Sequence, residues 1–125
     1  CSISQQAALA AFGESQEPSY EMKKAFDERR KYFYERVQNI PGVSCLMPEG
    51  AFYIFMNIKE LLGKTIKGIK INNSNDFASA FLEKGLVAVV PGSAFGADGY
   101  VRWSYATSME NIKEGLDRLE KFLAD

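Results

Sequence analysis

Gly99-Tyr100-Val101-Arg102-Trp103-Ser104-Tyr105-Ala106 is the stretch on which the fold turns. Side chains alternate across a strand, so Val101, Trp103 and Tyr105 point one way while Arg102, Ser104 and Ala106 point the other. The first set is bulky and asks for a covering layer. The second is cleared by a hydroxyl and a methyl, which leaves the Arg102 guanidinium room to hold a carboxylate or phosphate through two parallel hydrogen bonds. On spacing alone, an arginine paired with a neighbouring acid, or simply solvated, fits the same pattern.

Working outward, the loop Pro91 to Gly99 is rich in turn residues. It lacks the lysine of a phosphate-binding loop, and its glycines do not follow the dinucleotide fingerprint. They read instead as positions that permit positive φ or close backbone approach. Before it, Leu86 to Val90 predicts a buried strand. Asn73 or Ser74 caps a helix with Phe77, Ala78, Phe81 and Leu82 on one face and Gly85 as its stop. After the quoted stretch, Thr107 and Glu110 stand at capping-box spacing, ahead of a helix with Ile112, Leu116, Leu119 and Leu123 on one stripe.

Nearer the start, Ser2 to Phe12 predicts a short helix stopped by Gly13. Pro18 suits a first helical position, and Met22, Phe26, Phe33, Val37 and Ile40 recur at nearly whole turns in a long amphipathic helix ended by Pro41-Gly42. Its charges, including the Asp27 and Lys31 pair, read as a solvated face. Val43 to Met47, the turn Pro48-Glu49-Gly50 and Ala51 to Asn57 form a hairpin pattern, with Phe52 a core aromatic on this view. Tyr53 and Tyr105, at strand positions, read mainly as packing residues. Lys59 to Asn72 has weak periodicity and is expected to be a mobile excursion with a short helical turn. The result is a two-layer α/β sandwich, a small mixed or antiparallel sheet covered by helices on one face. One domain spans residues 1–125, with residues 1–16 a helix and a link.

The 125 residues, 46% hydrophobic and 25% charged, suit one ordinary globular core. A net charge of -1, from 15 basic and 16 acidic residues, argues against nucleic-acid or membrane-surface partners. The apolar runs are too short to span a bilayer and no signal-peptide pattern opens the chain, so an intracellular, cytoplasmic location is expected. Cys1 and Cys45 are too few for a zinc motif and read as ordinary thiols. The lack of histidine removes the commonest general base and the Ser-His and Cys-His pairs. Without an initiator methionine, Cys1 reads as a cut end.

Several ordered motifs carry a family resemblance across essentially all of the chain: Ser4-Gln5-Gln6-Ala7-Ala8, Pro48-Glu49-Gly50-Ala51-Phe52-Tyr53, Pro91-Gly92-Ser93-Ala94-Phe95-Gly96 and the quoted strand. With these the sequence resembles the C-terminal small domain of the pyridoxal-phosphate-dependent aminotransferases of the aspartate and aromatic type, in fold-type I. The resemblance implies that Arg102 binds the α-carboxylate of an amino-acid or 2-oxo-acid substrate and that Phe52 lines the substrate pocket. It also implies pyridoxal 5'-phosphate as cofactor and a homodimeric parent. In that family the Schiff-base lysine, the aspartate at the pyridine nitrogen and the phosphate cup belong to the larger domain. No lysine here, Lys64 and Lys84 included, sits in the family's lysine motif. The resemblance therefore assigns no catalytic, cofactor-binding or metal-binding residue to this chain, which is not expected to be active alone and whose N-terminal link leads toward the absent large domain. A carbon-sulfur lyase of the same superfamily, a transcription regulator with an aminotransferase-like half, and a free-standing amino-acid-binding module are the alternatives.

Overall fold

In the computed structural model, which describes residues 1–124, the quoted stretch supplies strand β6 (Tyr100–Ser104). It lies inside a four-stranded antiparallel sheet of order β1-β2-β6-β5, with β1 at Ser44–Cys45, β2 at Tyr53–Asn57 and β5 at Val90–Pro91. Two edges of β6 are thus hydrogen-bonded. Its register against β2 sets Ile54 opposite Trp103, Phe55 opposite Arg102 and Met56 opposite Val101. Alternation then works as the sequence requires: Ile54, Met56, Val101, Trp103 and Tyr105 are buried on the inner face.

Helices α1 (Ser2–Gly13), α2 (Glu17–Gln38), α3 (Ser74–Ala80) and α4 (Met109–Leu123) complete the main elements. Three of them join the sheet's core: α2 brings Phe33 and Val37, α3 brings Phe77, and α4 brings Ile112, Leu116, Leu119 and Phe122. Phe33 meets the Trp103 ring edge-on at 5.3 Å, and Phe81 lies between Trp103 at 5.6 Å and Phe122 at 5.1 Å. Such apolar contacts, rather than surface ion pairs, dominate the stability of a domain this size. Helix α1 buries none of its residues. Met22 also stays outside the core, in an opening stretch of α2 that is exposed throughout.

Several local expectations shift. The cap of α4 is Ser108, whose hydroxyl accepts from the Asn111 amide at 3.2 Å, while Thr107 accepts from the Asn111 side chain at 2.8 Å. Phe122 takes the inward position expected of Leu123. At α3, Asn73 is the cap, accepting from the Asp76 amide at 2.9 Å. The helix continues as a single π turn, Phe81–Gly85, that leaves Leu82 exposed.

Leu86 to Val90 is not a buried strand: only Val90 and Pro91 pair, and Leu86 is exposed at φ 56. The cause lies in Gly85. A Cβ there would sit 2.4 Å from the Phe81 ring, so this glycine makes room for an aromatic and the left-handed stop falls on the next residue. The segment 59–72 is anchored rather than loose. It holds the short turn Lys59–Leu61 and the ribbon β3 (Thr65–Ile66) with β4 (Ile69–Lys70), and it buries Leu61, Ile66 and Ile71.

Candidate carboxylate-binding face

Among the described residues, none of the core-packing helices α2, α3 and α4 lines the sheet's other face. Tyr53, Phe55 and Asn57 from β2 and Tyr100 and Arg102 from β6 line it, with Leu46, Pro48 and Phe95 at its margins, around an open concavity of about 1010 Å³. Arg102 stands in the middle of this face, its backbone held by pairing to Phe55 on one side and Val90 on the other.

The guanidinium carbon lies 4.5 Å from the centre of the Tyr53 ring and 4.7 Å from that of Phe95. Two aromatic rings this close attract the cation and restrict its swing, leaving its N–H groups to be met by an incoming acceptor. Among the described residues no carboxylate pairs with Arg102, whereas Arg30, Arg36 and Arg118 each meet one within 2.9 Å. The Arg36 guanidinium is held well above its ordinary pKa by hydrogen bonds to Asp117 and then Glu120. Among the described residues Arg102 is therefore a cation without an internal counter-ion, flanked by aromatic surface against which an incoming anion is held more strongly than in water.

Phe95 is presented by the glycine-rich loop. A Cβ on Gly92 would lie 2.2 Å from the Ala97 carbonyl oxygen and 2.6 Å from that of Tyr100, and Gly96 adopts φ 70. The loop's far side is tied to α3: the Ser74 amide donates to Asp98 at 2.8 Å, and the Ser93 amide donates to the Ser74 hydroxyl at 3.2 Å. The Ser74 hydroxyl, and after it the Ser74 amide, hold the Asp98 carboxyl below its ordinary range. The glycines thus serve backbone closeness and positive φ, as the sequence suggests.

Phe52 is 40% exposed and so is no core aromatic. Its ring lies 4.3 Å from that of Tyr53, one ring removed from the guanidinium. The structure brings Arg102 together with Tyr53 and Phe95, two partners that strand parity alone does not pick out. The available signals are an aromatic in an otherwise small-residue loop, and an aromatic of the same facing as Arg102 on the pairing strand. Phe55 extends the floor, stacked on Tyr100 at 5.0 Å with the rings 3° from parallel.

Among the described residues no lysine and no carboxylate lines the concavity, so these residues do not make a site for an aldehyde cofactor on their own. No group of three or more potential ligands among the described residues could hold a metal ion. Cys45 borders the face with its thiol pKa pushed up by burial, and Cys1 is exposed.

The family model for class I and II aminotransferases matches residues 1–119. The chain belongs to this aminotransferase family. It is 45% identical over 118 residues to an aspartate aminotransferase of Streptomyces avermitilis, covering 94% of this chain and 29% of that protein. It is 42% identical over 122 residues to the aspartate aminotransferase of Bacillus subtilis, covering 98% and 30%. The crystal structure of the aspartate aminotransferase from Rhizobium meliloti superposes with a TM-score of 0.92 at 41% identity, over 98% of this chain and 31% of that one. The alanine aminotransferase from Pyrococcus furiosus gives 0.83 at 35% identity, over 94% and 28%. The chain thus spans roughly three-tenths of the length of the relatives it matches. These aminotransferases share the antiparallel sheet with its helices on one side, and no described helix is long and apolar enough to cross a membrane.

Proposed function

We propose that this chain is the small domain of a pyridoxal-phosphate-dependent aminotransferase and that Arg102 binds the α-carboxylate of its amino-acid and 2-oxo-acid substrates. The observation that carries the proposal is the Arg102 guanidinium, without a carboxylate partner among the described residues, lying 4.5 Å from the Tyr53 ring centre and 4.7 Å from that of Phe95 on an open apolar face. A carboxylate accepting two parallel N–H bonds from a stacked fork has its plane and distance fixed, and this aligns the bond at the substrate's Cα for proton transfer. Tyr53 and Phe95 flank that ion pair with aromatic surface, which limits the water around it and so strengthens it. Phe52, beside Tyr53, forms the outer wall of the substrate pocket.

The cofactor belongs to the remainder of the protein, toward which α1 and the link through residue 16 lead. When bound it supplies an electron sink for the carbanion formed at the substrate Cα. The parent is a cytoplasmic homodimer acting on aspartate or a broader set of amino acids, and this domain has no transaminase activity by itself. Side-chain specificity lies outside this face, which holds only the group common to every amino acid.

In the full-length protein, Arg102→Leu removes a desolvated charge-assisted pair worth about 2–5 kcal/mol, lowering kcat/KM roughly 30- to several-thousand-fold. Amino-acid and 2-oxo-acid substrates lose alike, and the cofactor absorbance stays. An unchanged kcat/KM overturns the role given to Arg102.

A further inference from the structure

Tyr53 meets the guanidinium at the point where the chain enters β2. Just before the strand, Ala51 adopts φ 59, a left-handed conformation that costs an L-residue about 1–2 kcal/mol and relaxes unless it is held. Three hydrogen bonds hold this turn. Arg30 donates through Nη1 to the Pro48 carbonyl at 2.6 Å, the Tyr105 hydroxyl donates to the Ala51 carbonyl at 2.9 Å, and the Tyr105 amide donates to the Phe52 carbonyl at 2.9 Å. The donors are themselves fixed. Asp27 accepts from Arg30 at 2.6 Å, and Tyr105 is 1% exposed with its ring edge-on to Phe26 at 6.1 Å.

Neither Arg30 nor Tyr105 lines the concavity: Arg30 belongs to α2, and Tyr105 faces the inner side of the sheet. Their shared product is nonetheless the turn that leads into Tyr53 on the outer side. Tyr53 is the first residue of β2, paired to Ser104 on one side and entered directly from the turn on the other, so the turn borders its ring. Its placement, 4.5 Å from the Arg102 guanidinium carbon, depends on the turn.

We propose that Arg30 and Tyr105 form a latch, reaching from the helical layer past the sheet, that sets the Tyr53 ring against Arg102 and so tunes how tightly a carboxylate is gripped. Both are positioning residues. The inference rests on Arg102 being the carboxylate site. Loss of the Tyr105 hydroxyl leaves the exposed Ala51 carbonyl to water, so the domain still folds while the turn relaxes and Tyr53 leaves its place over the cation.

The test uses the full-length holoenzyme and titrates succinate, a carboxylate that cannot react, together with KM and kcat for aspartate. Tyr105→Phe and Arg30→Met are each made alone and together with Arg102→Leu, with Arg30→Lys as the conservative control. Each single variant should weaken succinate and raise KM by roughly three- to tenfold, the effect of one net hydrogen bond, with kcat little changed. Arg30→Lys, which still donates to Pro48, should recover part of the loss. Added to Arg102→Leu, neither variant should weaken succinate further, because the cation on which the latch acts is gone. If Tyr105→Phe binds succinate normally while Arg102→Leu does not, the latch is wrong and the arginine's role stands. Equal losses with and without Arg102 show a general structural role and also refute the latch. Normal succinate binding by Arg102→Leu removes the grip itself, and the latch with it.

Discussion

Replacing Phe33 with alanine measures how much of this domain's stability passes through the join between α2 and the sheet. Phe33 is 1% exposed and its ring meets Trp103 edge-on at 5.3 Å, so the substitution opens a cavity at the centre of the core. Buried Phe→Ala changes cost about 3–5 kcal/mol, of which about 0.5–1.5 kcal/mol is the ring-on-ring term. Against a total of about 5–15 kcal/mol for a natural domain, that loss lowers the thermal midpoint by roughly 10–25 °C. Deleting α1 provides the contrast. Every residue from Ser2 to Gly13 is exposed, so its removal from this chain should change stability by less than about 0.5 kcal/mol. Far-UV circular dichroism against temperature and urea, on both variants and on the milder Phe33→Leu, reads the difference. If deleting α1 lowers the midpoint as far as Phe33→Ala does, α1 belongs to the core and the layer arrangement is mistaken. If Phe33→Ala costs under about 1 kcal/mol, Phe33 is not the joint that its burial indicates.

Three further outcomes follow from particular residues. Leu86, exposed at φ 56, holds a conformation that glycine adopts freely, so Leu86→Gly should raise the urea midpoint by the equivalent of about 0.5–1 kcal/mol; an unchanged or lower midpoint denies the strain. Asp98 has a folded-state pKa below its ordinary 3.8, so its contribution is complete above that value and is lost as pH falls through the lower, folded one. The stability gap between wild type and Asp98→Asn, followed by urea unfolding from neutral to strongly acidic pH, should therefore close below the ordinary value; a gap independent of pH refutes this. Phe95→Leu keeps an apolar side chain but removes the ring 4.7 Å from the Arg102 guanidinium carbon, and in the full-length protein it should raise KM roughly two- to fivefold, equally for amino-acid and 2-oxo-acid substrates. A loss confined to one substrate would give Phe95 a part in side-chain selection instead.

The facing of β6 was readable because burial on one side of a strand enforces a two-residue period, and Val101, Trp103 and Tyr105 obey it without exception. The helix bearing Phe33 and Val37 was readable for the same reason at its own period. Leu86 to Val90 misled because a short apolar run looks alike in a strand and in a half-buried connection, and because the space under Phe81 decided what Gly85 was for. The anchors of segment 59–72, Leu61, Ile66 and Ile71, follow no single period, so its sequence reads as a loose excursion. Arg102 could be singled out from its neighbours in the chain. Its partners could not, since Tyr53 and Phe95 reach it through strand pairing and loop closure, which one sequence does not spell out.

Trp103, the chain's one tryptophan, follows Arg102 directly yet points into the opposite layer. It is 6% exposed, its indole Nε1 has no acceptor among the described residues, and its ring is enclosed by Phe33 and Phe81. An indole so placed emits to the blue of a solvated one and is out of reach of aqueous quenchers. The domain therefore carries its own optical gauge: the colour of its fluorescence follows the integrity of the helical layer, one peptide unit from Arg102.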